Sequence, residues 1–472
     1  MRSIRPTASA ALGSSRPTVW FEVEDFLDYF EWKSGPTGIQ RVQMELFAAA
    51  GSYRWPEGDI RFCRLNRLTR HFEPVSLRGL EAAFDRPAFV QRLPRAWLRA
   101  RLRALRINLR MLHGRAVAMR DWIARRANKD RPDFEPGLLL FEPGDILMCL
   151  GNAWEDTRYS EFIGLARRKR GLKFAVLVYD LFPITHPQWV HAENAAIFGQ
   201  WFSGMLEHAD MMFAISDYSR ASIQAFAARL GRFAPPVDVL PLGTGFRVTT
   251  PTIRPGVLAK LPPRYVVFVS TLSARKNHGF AVRIWQRLIA AHGAGEIPHL
   301  VMVGQIGWAI DGLIAELEAN RYLDGKILVL SDLSDAEVRE VYRGCLFSIY
   351  PSLAEGWGLP IAESLEHGKL CIASDRTAMP EVGGSLADLI DPEDLSEAVA
   401  AVERAIFDTG YRVSREAQIR AEYRPTSWAF SFAALMTGLE ALLHRDDRGT
   451  ASSAAGADAL LIKRVPEHHG GA

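Results

Sequence analysis

Cysteine is scarce in this chain, and the four thiols it has (Cys63, Cys149, Cys345 and Cys371) are scattered, with no Cys-x-x-Cys spacing. A disulfide framework or a cysteine-held metal is therefore not the expected chemistry. Reduced thiols in apolar core positions are, and they imply a reducing compartment. A long unbroken apolar run is missing too, so no segment is expected to span a bilayer. Met1 to Pro17 is rich in Ser, Ala and Arg but lacks an apolar signal core. These absences make the cytoplasm the expected location. Charge of one sign is also lacking: 57 Lys and Arg stand against 54 Asp and Glu, a net of +3. That near balance gives no global argument for nucleic acid as a partner. No Asp-x-Asp follows a strand-like run, and no His/Asp spacing suits a metal. What is present is a chain of 472 residues with 48% hydrophobic content, too long for one core, for which two domains are the default.

The order of apolar segments gives those domains an α/β character. Thr18 to Val23 reads as a strand. Ser34-Gly35-Pro36-Thr37-Gly38 reads as a loop, and Ile39 to Ala50 as a helix, which together open a βα unit. Residues 60–82 read as a strand and loops. Ile146 to Leu150 and Phe174 to Tyr179 are unbroken apolar runs, as buried parallel strands require. A helix at about 193–208 leads to a strand at 211–215, and Ser216 is a good N-cap for the helix that follows. The sequence divides into a tail at 1–17, a first domain at 18–246, a Pro/Thr-rich linker at 247–263, a second domain at 264–425, a final helix at 426–445 and a tail at 446–472. In the second domain strands and helices alternate from 265 to 374, which predicts a doubly wound parallel sheet.

The most informative segment runs from Tyr350 to Gly368. It places Glu355 and Glu363 on either side of a turn containing Gly356 and Gly358, with Pro360 suited to the first position of a helix. A helix start offers free N–H groups and partial positive charge to a phosphate. Carboxylates beside it are poor phosphate ligands but good acceptors for sugar hydroxyls. Local chemistry therefore points to a ligand that is both phosphorylated and polyhydroxylated.

This segment resembles the paired-glutamate signature of retaining glycosyltransferases of family 4, which have the two-lobed GT-B fold. The resemblance extends to Val266–His278 with its Arg275-Lys276-Asn277, to Leu300–Gly304, to Val329–Ser334, and to Pro380–Gly384 before Ile390-Asp391-Pro392. It implies two Rossmann-like domains facing a cleft, with a C-terminal helix crossing back to the first domain. It assigns the diphosphate of a nucleotide sugar to Lys276, with Arg275 as a second clamp. It assigns the ribose to Glu363 and the transferred sugar's hydroxyls to Glu355. The backbone of Gly356, Trp357, Gly358 and Leu359 is expected near donor sugar or phosphate. Gly304 and Ser331 are expected at the base pocket. Asn277 and His278 are read as caps of the next helix.

In the first domain, Gly35 to Val42 resembles the family's Thr-Gly-Ile-Gln-Arg-Val form of a phosphate-facing loop, with Gly38 letting backbone N–H groups meet the diphosphate. Arg41 is equally readable as a structural ion pair. That loop form is associated with bacterial enzymes that transfer mannose or rhamnose onto polysaccharide intermediates, so a GDP-linked donor and a saccharide or polyprenyl-linked acceptor are implied. Tyr179-Asp180 stands where relatives carry His-Asp. Asp180 is the best first-domain polar group near the reacting sugar, and His186 in Thr185-His186-Pro187 is either the nearest imidazole or part of a structural turn.

Residues 95–131 form an arginine-rich region. Leu98, Leu102, Leu105, Leu109 and Leu112 share one helical face bordered by arginines, which fits either an anionic membrane surface or an insertion packed on the first domain. The expected activity is retaining hexosyl transfer without a metal or other cofactor. The rival readings are a GT-B epimerase or phosphorylase, and a non-catalytic nucleotide-sugar-binding scaffold subunit.

Overall fold

Two separate sheets take up the apolar runs in this computed structural model. It describes residues 16–32, 36–66, 71–84, 140–156, 158–245, 253–254, 256–307 and 310–444. The arginine-rich region 95–131, most of the 1–17 tail, the 446–472 tail and residues 247–252 and 255 of the linker lie outside the described residues.

The first sheet contains β1 (Thr18–Glu22), β2 (Asp59–Asn66), β3 (His71–Val75), β4 (Ile146–Cys149), β5 (Lys173–Val178), β6 (Met211–Ala214) and β7 (Val237–Val239). Its strand order is β3-β2-β1-β4-β5-β6-β7. Every residue of β4 and β6 is buried, as expected of strands covered by helices on both sides. One apolar layer joins Phe21, Phe47 and Leu177 on one face of the sheet, and another joins Phe174, Val176 and Phe202 on the other. One pairing in the sheet is antiparallel: where the sequence read a strand and loops at 60–82, β3 runs against β2, with Asn66 opposite His71. The connection between them is too short for a parallel crossover, which needs a dozen residues or more, so only a hairpin can form.

The second sheet contains β8 (Tyr265–Val269), β9 (His299–Val303), β10 (Ile327–Leu330), β11 (Ser348–Tyr350), β12 (Cys371–Ser374) and β13 (Asp388–Ile390), in the order β10-β9-β8-β11-β12-β13. All its described pairings are parallel. Cys63, Cys149, Cys345 and Cys371 are free and buried.

The Trp428–Leu443 helix packs on the first sheet although it follows the second in sequence. Leu435, Met436 and Leu439 are fully buried there. The Phe432 and Phe21 rings lie 5.6 Å apart, and Trp55 Nε1 donates to Glu440 at 2.7 Å. Three helices were not read from the sequence: Glu24–Trp32, Tyr159–Arg170 and Thr409–Glu422. In the last, Ile419 is the one residue buried. No described helix is long and apolar enough to cross a membrane.

Candidate functional site

The strand order of the second sheet turns back between β8 and β11, and in such sheets the crevice beyond the carboxyl ends of the strands at this point is where ligands bind. Arg275 and Lys276 sit in the short turn after β8, and Glu355 follows β11. They meet there. Arg275 Nη1 lies 2.7 Å from one Glu355 oxygen and Lys276 Nζ 2.6 Å from the other. Lys276 Nζ also donates to the Tyr350 hydroxyl at 2.7 Å, and that hydroxyl donates to Glu355 at 3.0 Å. Thr377 closes the group by accepting the Glu355 amide N–H at 2.9 Å and donating to its carbonyl at 3.0 Å. The left-handed backbone at Asn277 (φ 61°) ends the cationic turn, and its side-chain amide donates to the carbonyls of Pro351 and Pro392. Asn277 therefore staples two loops and does not cap the next helix with its side chain. His278 does not cap either: it is buried, stacked on Phe268 at 4.3 Å.

Charge in this cluster is concentrated and dry. Burial would push the Glu355 carboxyl up, but Arg275 and Lys276 outweigh it and hold the group at about 2. Burial lowers Lys276 to about 8, with the neighbouring Arg275 adding to the effect and Glu355 opposing it. Both Glu355 oxygens are engaged by cations, and the oxygen that meets Lys276 also accepts the Tyr350 hydroxyl, so the carboxylate is tied on both sides.

Glu363 lies one helical stretch further, in Leu359–Glu366, and is buried. The Tyr342 hydroxyl donates to it at 3.1 Å. Burial raises Glu363 to about 7, against the pull of Arg41. Arg41 belongs to the first-lobe helix Gly38–Ser52, yet its guanidinium makes a two-pronged bond to Asp335 of the second lobe at 2.7 and 2.9 Å. Of the two readings of Arg41, the structure displays an ion pair, and the pair joins the lobes. Gly38 opens that helix, is exposed, and has free space where a side chain would lie.

The glycine turn between the glutamates is one place where the lobes touch. A Cβ on Gly356 would stand 2.4 Å from the Tyr179 carbonyl oxygen of the first lobe, so only glycine permits this approach. Gly358 adopts φ 125°, also a glycine conformation, before the helix begins at Leu359. Trp357 and Leu359 pack against the first-lobe core beside Tyr179 and Trp428. The Trp357 indole N–H is buried with no acceptor among the described residues. Gly304 follows β9 with its backbone against Ser270. Ser331 follows β10 and is exposed.

The first lobe presents Asp180 after β5. Its carboxylate accepts the Phe182 N–H at 3.1 Å, and burial raises it while Arg275 pulls it back. The Arg275 guanidinium carbon lies 5.3 Å from the centre of the Phe182 ring, a cation–π contact across the lobes. Ser216 caps the Asp217–Arg229 helix by accepting the Ser219 N–H at 3.0 Å. The Glu381 carboxylate of the second lobe accepts the Asp217 and Tyr218 N–H groups of that helix, each at 2.8 Å. Sequence reasoning gave no role to Tyr350, Tyr342, Phe182, Thr377 or Glu381. Tyr350 was legible as a hydroxyl ending a strand beside the motif; the others depend on contacts distant in sequence. Among the described residues no group of three or more His, Cys, Asp or Glu side chains could hold a metal.

Comparison with known proteins places this geometry in context. Residues 263–408 match the family model described as "Glycosyl transferases group 1", a span that covers β8 to β13. The serotype-specific mannosyltransferase WbdA of Escherichia coli is 26% identical over 248 residues, which is 50% of this chain and 30% of that protein. The chain thus matches less than a third of that relative's length. The O-antigen chain mannosyltransferase B of Escherichia coli is 24% identical over 302 residues, covering 61% of this chain and 77% of that one. Among solved structures, Anabaena HepE in complex with UDP and glucose superposes with a TM-score of 0.55 at 14% identity, over 90% of this chain and 100% of that one. Escherichia coli trehalose-6-phosphate bound with UDP-2-fluoro glucose, as that structure is described, gives the same score and identity over 90% and 99%. At these identities the structures establish the fold: two Rossmann-like α/β domains in the GT-B arrangement.

Proposed function

We propose that this protein is a retaining glycosyltransferase that moves a hexose, mannose or rhamnose in type, from a nucleoside diphosphate sugar to a saccharide or lipid-linked saccharide. The observation that carries the reading is the pairing of Arg275 and Lys276 with Glu355 at the turning point of the second sheet. Breaking the sugar–phosphate bond gathers negative charge on the departing diphosphate, and preorganised cations aimed at that charge stabilise the transition state. Arg275 and Lys276 are held at the crevice by a carboxylate that can exchange for the diphosphate. Glu355 then becomes available to accept a hydroxyl of the transferred sugar. Glu363 in its ionised form accepts the ribose hydroxyls. Gly38 brings a helix N-terminus to the phosphates from the other lobe, and Gly304 and Ser331 border the base. The Trp357 N–H is a donor that bound sugar or phosphate can satisfy.

Two Escherichia coli relatives named as mannosyltransferases favour mannose, and GDP is the first nucleotide to test. Retention follows from the family resemblance. Asp180 lies beside Arg275 on the acceptor side and serves there as the polar partner of the reacting sugar. The two cations make a metal unnecessary for holding the diphosphate, so EDTA leaves turnover intact. The basic region 95–131 is proposed to rest on an anionic membrane face, where polyprenyl-linked acceptors reside.

The test is a thermal-shift screen with GDP, UDP, ADP and dTDP, followed by assay of the matching nucleotide sugar. Release of nucleoside diphosphate with the anomeric configuration retained in product supports the reading. Release of free altered sugar without acceptor, a requirement for orthophosphate, or nucleotide binding without any turnover would replace it with an epimerase, a phosphorylase or a scaffold.

A further inference from the structure

The first-lobe edge of the crevice carries an aromatic group that none of the roles above employs. After Asp180 the chain makes a short helix at Phe182–Thr185, turns at His186, and makes a 3-10 turn at Pro187–Trp189. Pro183 and Pro187 restrict the turn, and the Trp189 N–H donates to the His186 carbonyl at 3.1 Å. His186 and Trp189 stack face to face with ring centres 4.3 Å apart and planes 5° from parallel. The Phe182 ring meets both edge-on, at 5.7 Å and 6.0 Å, and Tyr218 lies 6.5 Å from Phe182. Phe182 is buried, whereas His186 and Trp189 are partly exposed. On its other side Phe182 lies under the Arg275 guanidinium. One ring therefore links the stacked pair to the cation assigned to the leaving diphosphate.

Aromatic side chains that stay partly accessible beside polar groups at a crevice edge are a feature of ligand sites. The polar groups are present: Thr185 and Gln188 are exposed on the same turn, and the Thr185 hydroxyl lies 2.9 Å from His186 Nδ1. A pyranose has the complementary surface. Its axial C–H groups form an apolar face that covers an aromatic ring, and its hydroxyls project from the edge toward polar partners.

We propose that the turn from Phe182 to Trp189 is the acceptor-saccharide subsite, with the stacked His186–Trp189 pair covering the C–H face of a pyranose whose hydroxyl is presented toward Arg275 and Glu355. This assignment rests on the nucleotide-sugar reading of the second lobe. It adds the surface on which the second sugar lies and the class of molecule that surface takes. Burial keeps the His186 imidazole below its ordinary value, against the opposing charge of Asp180, so near neutral pH it offers hydrogen-bonding nitrogens without a charge.

The experiment is saturation-transfer NMR on the full chain with methyl α-D-mannopyranoside and methyl β-D-glucopyranoside, with and without GDP, for wild type, Trp189→Ala and Trp189→Phe. Ring protons of at least one glycoside should take up saturation with wild type. Trp189→Ala should weaken its affinity by about 10-fold or more, and Trp189→Phe should stay within about 3-fold of wild type. Equal affinity in wild type and Trp189→Ala overturns the subsite, as does the absence of any ring-proton response. Calorimetry with GDP, UDP, ADP and dTDP on the same samples separates the two levels. Nucleotide binding with no glycoside response removes the subsite and leaves the nucleotide-sugar reading standing. A glycoside response lost in Trp189→Ala, with no nucleoside diphosphate bound, keeps the saccharide surface and removes that reading.

Discussion

The two lobes share a strand plan but finish their crevice edges in different ways. The second lobe ends β8 and β11 in full charges: two cations and a carboxylate, buried together and tied by a tyrosine hydroxyl. The first lobe ends β5 in one carboxylate and a run of aromatic rings. Charge fixed in a dry site suits a step in which charge develops, as when a diphosphate departs. Aromatic surface suits recognition of a neutral polyhydroxylated partner. The proposed function divides the labour of the crevice between chemistry on one wall and acceptor recognition on the other.

The largest effect should fall on the charged wall. Lys276→Ala is expected to lower kcat by about 100- to 1,000-fold, while Asp180→Asn across the crevice lowers it by about 10-fold; steady-state rates with the preferred donor decide, and a reversed order would undo the division. Stability gives the next contrast. Glu355→Ala leaves Arg275 and Lys276 largely buried without their counter-charge and should cost about 3 kcal/mol, whereas Arg41→Ala, which frees a partly exposed Asp335, should cost about 1 kcal/mol; urea unfolding reads both.

A pH dependence follows from Glu363. Its value in the fold, about 7, lies above the ordinary 4.5. The associated stability is fully present below pH 4.5 and is lost as pH rises through 7. If ribose needs the ionised form, nucleotide affinity runs the opposite way, falling about 10-fold from pH 8 to pH 6 as the competent fraction shrinks. The ratio of wild-type to Glu363→Gln affinities cancels the nucleotide's own ionisation, and a ratio flat with pH would exclude this role. The smallest effect belongs to Tyr350→Phe. Removing the hydroxyl that accepts from Lys276 should lower kcat about 3-fold and move the alkaline limb of the rate profile to lower pH, because the ammonium loses a partner. An unshifted limb would reduce Tyr350 to packing.

Legibility in the sequence followed the same division. The charged wall lies in local motifs: Arg275-Lys276 directly after an apolar run, and two glutamates on either side of a glycine turn. Their residue types announce their chemistry, and the strand order then brings Glu355 to the cations. The partners that tune them do not announce themselves. Tyr342 reaches Glu363 from a preceding helix, Thr377 reaches Glu355 from a later loop, and Arg41 finds Asp335 across 294 positions of sequence. The first-lobe wall was hardest to read because Phe182, His186 and Trp189 look like ordinary turn and core residues until their rings are seen stacked. The helix Thr409–Glu422 was missed for a related reason: Ile419 is the one residue of it that is buried, which leaves little apolar signal. Doubly wound sheets were legible because buried parallel strands are unbroken apolar runs, whereas the β2–β3 reversal depended on the length of one connection.

The most direct test of the central claim compares a nucleoside diphosphate with its monophosphate. For whichever of the four nucleotides binds best, calorimetry on wild type and Lys276→Ala gives the diphosphate-to-monophosphate affinity ratio in each protein. If Arg275 and Lys276 hold the diphosphate, wild type prefers the diphosphate and the ratio falls by about 10-fold or more in the variant. An identical ratio in the two proteins would place the diphosphate elsewhere and contradict the account.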